Sequence, residues 1–513
     1  MSRIQVVWFK RDLRWQDHAP LAEAAARGPM LPLYLVEPAL WQQPDAAGRH
    51  WDFIRDSLLE LRAGLAALGA PLVVRSGEAE RLLERLHRRI GDFELWSHEE
   101  TGNDWTYQRD RRVADWCRAR AIPWTELPQN GVIRRLSSRQ GWATRWEQFM
   151  RQPLAATPAG LQPVAGIDPG QIPELPDLGL PADPCPGRQA GGRVEGERLL
   201  HDFLHRRGQR YHLELSSPLS AESSCSRLSP HLAWGTLSLR EVAQATAQRL
   251  RTLPREQTDW KRALAAFNGR LHWHCHFIQK LESEPELEFR NAHRAYDGLR
   301  EDEFSSKHFE AWRQGRTGLP LVDACMRALA ATGWINFRMR AMLVSFAAYQ
   351  LWLHWREPGL HLARLYTDYE PGIHWSQMQM QSGTTGINTV RLYNPVKQSQ
   401  DQDPHGRFLR HWLPELAHVP APLIHQPWKL SATERRQYRV GDYPPPVVDP
   451  LESARQARER IHAVRKGEGH RQEAQSVQAR HGSRKAGLPQ VSERNAAAKR
   501  AARKPAGQTQ LDL

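Results

Sequence analysis

Over roughly its first quarter the chain alternates short apolar runs with helical stretches; then the alternation stops. Ile4–Phe9 (IQVVWF), Leu31–Val36 (LPLYLV), Leu72–Arg75 (LVVR) and Phe93–Ser97 (FELWS) are rich in strand-forming residues. Between and after them, Ala19–Arg27, His50–Leu68, Glu78–Arg89 and Trp105–Arg120 carry the period of amphipathic helices. Strands alternating with helices fold as a parallel sheet, so residues 1–135 are expected to form a Rossmann-like α/β domain. Its first strand-to-helix turn reads Lys10-Arg11-Asp12-Leu13-Arg14, with no GxGxxG, so a dinucleotide is not expected there. Residues 136–193 are dense in proline and glycine and read as a linker draped over the surface. From 194 to 465 the period is helical throughout, and Asn336–Trp355 is apolar on most faces, as a core helix of a large domain is. The C-terminal half is therefore expected to be all-α. Residues 466–513 show no apolar period and are expected to be a basic, disordered tail.

The balance of charge bears on partners. The chain carries a formal net charge of +14. From Leu451 onward there are 14 Lys/Arg against 6 Asp/Glu, so over half of the excess lies near the C-terminus. A basic surface favours polyanions, yet a basic tail alone is weak ground for one. Cys117, Cys185, Cys225, Cys275 and Cys325 are scattered and form no CxxC, which argues against a disulfide framework, a structural zinc or an iron–sulfur site. No metal is expected. No apolar run is long enough to span a bilayer, and the N-terminus opens into a strand rather than a signal segment. A cytoplasmic monomer with no membrane contact is expected. The 20 Trp are more than a core of this size needs. Most read as core, but stacking on a base or a ring cofactor, or relaying electrons, are the uses that would justify the excess.

Within the helical half, Cys225-Ser226-Arg227-Leu228-Ser229 puts hydroxyls and a guanidinium ahead of a helix. Such a segment suits phosphate oxygens, and it is equally an ordinary N-cap. Further on, Ala311–Trp334 (AWRQGRTGLPLVDACMRALAATGW), Tyr366–Trp375 (YTDYEPGIHW) and Tyr393-Asn394-Pro395 follow in order. Together with VVWFKRDLRWQDHAPL at the start and GRFLRHWLPEL and IHQPW near the end, these motifs resemble the DNA photolyase/cryptochrome family over roughly residues 3 to 465.

The resemblance implies that FAD is held in the helical domain, which accounts for the missing glycine fingerprint. It matches Tyr211, Cys225, Ser226, Arg227, Leu228 and Ser229 to the flavin phosphates, with Cys225 where a hydroxyl residue is usual. It matches Asp368, Tyr369 and Glu370 to the segment beside the flavin, and Arg340 to the partner of Asp368. His374 falls where the family faces flavin N5, commonly with Asn, Asp or Cys. A histidine there could move a proton or be a neutral hydrogen-bonding group. The family's electron relay of three Trp is matched by Trp312 and Trp355, but its inner member is Met378, a poor donor, unless Trp375 substitutes. The helix Arg270–Phe277 matches the wall of the lesion pocket, with Trp273 where a flipped lesion stacks. Arg270 stands where dimer-repairing members carry Glu, His274 replaces an Arg, Phe337 an Asn and Met380 a Trp, while Arg338 and Gln398 match DNA-contacting positions. His272 and His274, with His374, are the candidates for proton movement. Asn103 and Asp104 lie near a pterin-contacting segment but equally read as a helix cap, so a second, antenna chromophore is admitted without an identity. The implied activity is that of a blue-light-driven, FAD-dependent carbon–carbon lyase acting on UV-damaged DNA. The other implied reading is a cryptochrome-like photoreceptor with no repair activity.

Overall fold

The computed structural model describes residues 3–467 and 469–482. Five parallel strands, β1 (Ile4–Phe9), β2 (Met30–Val36), β3 (Val73–Ser76), β4 (Phe93–His98) and β5 (Trp124–Leu127), form one sheet in the order β3-β2-β1-β4-β5. The sequence reading contained four of these. β5 (WTEL) is short and only half-buried, so it carries no apolar run to betray it. Helix Gly48–Ala67 covers one face by burying Trp51, Ile54, Leu58, Leu61 and Leu65, spaced three and four apart. The turn after β1 is pinned by Asp12. Its Oδ2 accepts from His18 Nε2 (2.8 Å) and His98 Nδ1 (2.7 Å), and its Oδ1 from the Lys10 amide (2.6 Å). All three side chains are buried. They are the one His/Asp cluster among the described residues with metal-ligand spacing. Hydrogen bonds to a shared oxygen already account for that spacing.

The segment read as a linker has structure of its own. Helix Trp142–Arg151 buries Trp142, Trp146 and Met150. Leu161 N donates to Leu68 O (2.6 Å), Met30 N to Gln162 O (2.7 Å) and Val74 N to Pro169 O (2.8 Å). The chain thus lies against the β2–β3 side of the sheet.

Helices make up the rest. Helix Thr258–Ser283 runs 26 residues and packs along helix Pro371–Ser382. Gly372 permits this approach, since a Cβ there would lie 2.6 Å from Ile278 Cα. A large apolar core gathers Trp312, Leu321, Met339, Leu343, Trp355 and Trp375. The expectation of disorder from residue 466 onward needs correction. Residues His470–His481 form a helix that buries His470, Ala474, Val477 and His481 at helical spacing. Its buried face consists of histidines, an alanine and one valine, so no apolar period showed it. The rest of the expected tail, 483–513, lies outside the described residues. No helix among the described residues is long and apolar enough to cross a membrane.

The two halves meet tightly. Gly235 has φ +68°, and a Cβ there would lie 2.3 Å from Arg11 O. Leu13 N donates to Trp234 O (3.2 Å), and Arg14 Nη1 to Gly235 O (3.0 Å). The Arg11 guanidinium lies 4.2 Å from the Trp234 ring centroid and donates to Tyr369 O (2.7 Å).

Candidate functional site

A cavity of about 620 Å³ opens into the helical half, lined by residues from the Cys225–Ala233 segment, helix Thr258–Ser283, the start of helix Phe337–Ser345, and helix Pro371–Ser382. Of the residues singled out in the sequence, it brings together Tyr211, Cys225, Ser226, Arg227, Leu228, Ser229, Arg270, Trp273, His274, Phe337, Arg340, Asp368, Tyr369, Glu370, His374, Met378 and Met380.

One end is rich in charge. Arg340 donates both terminal nitrogens to Asp368 (3.0 and 2.8 Å), its Nε to Ile335 O (2.8 Å), and covers the Tyr366 ring at 4.1 Å. Arg227 has φ +60°, uncommon outside glycine. It is held by Gln189 Oε1 (3.0 Å) and by the Trp334 ring, 4.0 Å away. Burial pushes the Cys225 thiol up to about 11 and the Tyr211 phenol up to about 12, so both stay protonated at neutral pH. Glu370 is pushed up to about 7 by burial, against the pull of Arg11, which sits 3.4 Å away. Its Oε1, Asn336 Oδ1 and Tyr366 OH belong to residues lining the cavity, yet have no hydrogen-bond partner among the described residues. Buried polar atoms are rarely left so. Two cations, a carboxylate pair and several orphaned polar atoms around a cavity of this volume fit a flavin dinucleotide, with its phosphates, ribose hydroxyls and ring edge.

His374 sits at the core side. Its Nε2 donates to Gly359 O (2.9 Å), and burial pushes its pKa down to about 4. It is therefore a neutral, oriented imidazole at physiological pH. Met378 is buried at the cavity wall. Behind that wall, Trp375 meets His374 edge-on (4.8 Å between centroids) and Trp355 at 5.8 Å. The Trp375–Trp355 contact is edge-on, with an interplanar angle of 66°. Trp312 packs instead on Phe309 and His361. The Arg356 guanidinium lies 4.8 Å from the Trp375 ring, where a positive charge disfavours oxidation of the indole.

Part of the cavity wall is aromatic. Trp273 stacks with Phe277 (5.5 Å, 25°), and both line the cavity. His274 is pushed down to about 4 by burial, so it is neutral. Arg270 leans over Phe337 (5.7 Å), which is 38% exposed at the rim. Arg338 pairs with Gln398 (3.3 Å) outside the lining. The structure corrects the expectation for His272. It lies outside the cavity lining, edge-on to Trp142 and Trp146, 5.0 Å from each. At about 100° per residue, the helix points His272 toward Trp142 and Trp146, while Trp273 and His274 face the cavity. Sequence reasoning missed Arg11, Lys280, Gln377, Gln381 and His481. Arg11 acts from another domain. His481 lies in a stretch that looked unstructured. The spacing of Gln377 and Gln381 on one helix face was a signal that could have been read.

A second cavity, of about 70 Å³, lies at the carboxyl ends of β1 and β2 and includes Lys10, Glu37, Glu100, Asn103 and Arg109. Arg109 ties Glu37, Glu100 and Asp110 into a buried ion cluster at the wall of this cavity.

Residues 5–155 match the family described as DNA photolyase, and residues 267–463 match that described as FAD binding domain of DNA photolyase. Cryptochrome DASH of Gloeobacter violaceus is 30% identical, with 88% of this chain and 94% of that protein covered. Deoxyribodipyrimidine photo-lyase of Streptomyces griseus is 31% identical, with 88% and 97% covered. Among solved structures, a bacterial class III photolyase from Agrobacterium tumefaciens superposes with a TM-score of 0.79 at 26% identity, covering 91% of this chain and 98% of that one. An archaeal photolyase from Sulfolobus tokodaii with two FAD molecules gives a TM-score of 0.75 at 26% identity, covering 90% and 100%.

Proposed function

Since the chain belongs to the DNA photolyase/cryptochrome family and carries its FAD-binding domain, we propose that it is a light-driven photolyase that splits UV-induced pyrimidine lesions in DNA. The observation that carries this reading is a shared cavity. The charged cradle suited to FAD and the Trp273–Phe277 wall suited to a flipped base line the same 620 Å³ space. A cofactor and a flipped lesion would therefore meet without intervening protein. FAD, when bound, supplies blue-light absorption and one-electron chemistry.

The chain's own residues do the rest. Arg340, Asp368, Arg227 and the Cys225–Ser229 backbone hold and orient the cofactor. Glu370, which titrates near neutrality, and neutral His374 are placed to set the hydrogen bonding at its ring. Trp273 offers the stacking face that offsets the loss of base stacking on flipping. Arg270, Arg338 and Arg391 supply cations at and around the mouth for phosphates. Catalysis then rests on positioning and redox chemistry, with no side chain acting as nucleophile. We place the protein in the cytoplasm, where its five unpaired cysteines stay reduced.

A photoreceptor reading draws on one observation. Gln478 and His481 of helix His470–His481, with Gly482 after it, line the cavity, which couples this helix to the cofactor's surroundings. Purified holoprotein, reduced with a thiol and lit with blue light, is expected to consume either a cyclobutane thymine dimer or a (6-4) product in a synthetic oligonucleotide over many turnovers. Bleaching and recovery of the flavin with every lesion intact would overturn the repair reading in favour of the receptor.

A further inference from the structure

Helix Pro371–Ser382 carries three glutamines with different fates. Gln379 faces protein and is saturated. Its Oε1 accepts from Ala292 N (2.8 Å) and Thr384 Oγ1 (2.9 Å), and its Nε2 donates to Leu287 O (3.0 Å) and Arg290 O (2.5 Å). Gln377 and Gln381, one turn apart, line the cavity that also holds Trp273 and Phe277. Gln381 Nε2 donates to Gln377 Oε1 (3.1 Å), and Gln377 Nε2 and Gln381 Oε1 are left buried with no partner among the described residues. Gln381 is only 1% exposed. A chain that satisfies every atom of one glutamine leaves two atoms of its neighbours open at a cavity wall. Unmet buried groups of this kind are costly unless a ligand completes them.

The open pair has a definite chemistry. Two amides joined head to tail present one donor beside one acceptor. Turning both amides over, which the hydrogen-bond pattern permits, reverses the order but keeps the pair. A pyrimidine's pairing edge is the complement: N3–H beside C4=O in thymine, N3 beside N4–H2 in cytosine. Arg270, exposed at the rim beside Phe337, is placed for a phosphate rather than for a base edge.

Resting on the photolyase reading, we infer that Gln377 and Gln381 act together as the reader of the pairing edge of a flipped pyrimidine stacked on Trp273 and Phe277. Their joint role is specificity, and it deepens the assignment of the cavity by naming which face of the substrate is recognised.

Binding in the dark tests this without turnover. Full-length holoprotein is titrated against labelled oligonucleotides of one sequence, followed by fluorescence anisotropy. One is undamaged, one carries a cyclobutane thymine dimer, one a (6-4) product, and two carry these lesions with N3 of the 5′ base methylated. Methylation removes the N3–H and blocks the edge while leaving the ring to stack. The preferred lesion is expected to lose about ten- to a hundredfold in affinity on methylation. The Gln377→Leu/Gln381→Leu variant should bind the methylated and unmethylated lesions alike, with its flavin absorbance and thermal midpoint retained. Equal affinity of the natural protein for the methylated and unmethylated lesion overturns the inference and leaves the photolyase reading standing; that comparison needs no variant to fold. No preference for either lesion over undamaged DNA overturns both.

Discussion

Replacing Arg340 with leucine is expected to cost about 3–5 kcal/mol of folding stability, because it strands a buried carboxylate. The Asp368 side chain is 3% exposed, and its two oxygens are taken up by the two terminal nitrogens of Arg340. No second cation is hydrogen-bonded to it among the described residues. The variant also removes the guanidinium from the face of Tyr366, at 4.1 Å. Urea unfolding followed by tryptophan fluorescence measures the loss, and the flavin-to-protein absorbance ratio after gel filtration measures retention of FAD. The double variant Arg340→Leu/Asp368→Leu separates the two roles. It is expected to recover much of the stability, since no charge is left unpaired, and to recover none of the flavin. A double variant that keeps its flavin would show that the pair is structural only.

Stability should fall slowly between pH 6.5 and about 4.5 and steeply below that. Burial pushes His50, His231, His274 and His374 down to about 4, and His98 and His361 down to about 3. In the unfolded chain these groups titrate near 6.5. Below that pH the unfolded state binds more protons, so each histidine removes about 1.4 kcal/mol per pH unit until its folded value is reached. Four carboxyls work the other way. Burial pushes Glu282, Glu288 and Glu370 up to about 7 and Asp323 up to about 6. They take up protons in the folded state first, and they favour folding as pH drops from those values to the ordinary carboxyl range. Six losses against four gains leave a net decline of about 2.8 kcal/mol per pH unit, roughly a third of what the histidines alone would give. Once the four carboxyls are protonated in both states the offset ends. The carboxylates held low by their partners, Asp12, Asp17 and Asp183, then begin to titrate and add further losses. Urea midpoints between pH 7 and pH 4 measure the curve, and a flat profile down to pH 4 would contradict the burial of these imidazoles.

What could be read in the sequence, and what could not, follows from how local each signal is. β1, β2 and β4 are buried on both faces and appear as predominantly apolar runs, as parallel strands do, with β2 apolar throughout. β5 is half-buried and escaped. Cavity residues carried by short contiguous motifs, Cys225–Ser229 and Asp368–Glu370, were legible because neighbours in sequence are neighbours in space there. Arg11 was not, since its contact with Glu370 spans 359 positions. His272 was misassigned for a geometric reason. It matched a segment, but the helix turns its side chain from the cavity toward Trp142. Trp375 was legible only as a substitute. Its contact with Trp355 depends on Gly359, where a Cβ would lie 2.6 Å from the Trp375 ring.

The seam between the two halves makes the α/β portion a working part of the flavin chamber. Arg11 leaves the first turn of the sheet, lies on Trp234 and ends against Glu370, so a residue of the α/β half supplies the counter-ion to a carboxyl of the chamber wall. Tyr369 reaches back the other way, donating its hydroxyl to Asp45 at 2.6 Å. Neither half is therefore a module that could be exchanged or expressed alone with its chemistry intact. A helical fragment cut free at the boundary would keep its walls and lose the counter-ion beneath them. Any drift in the packing angle of the sheet would be felt as a change in charge beside the cofactor.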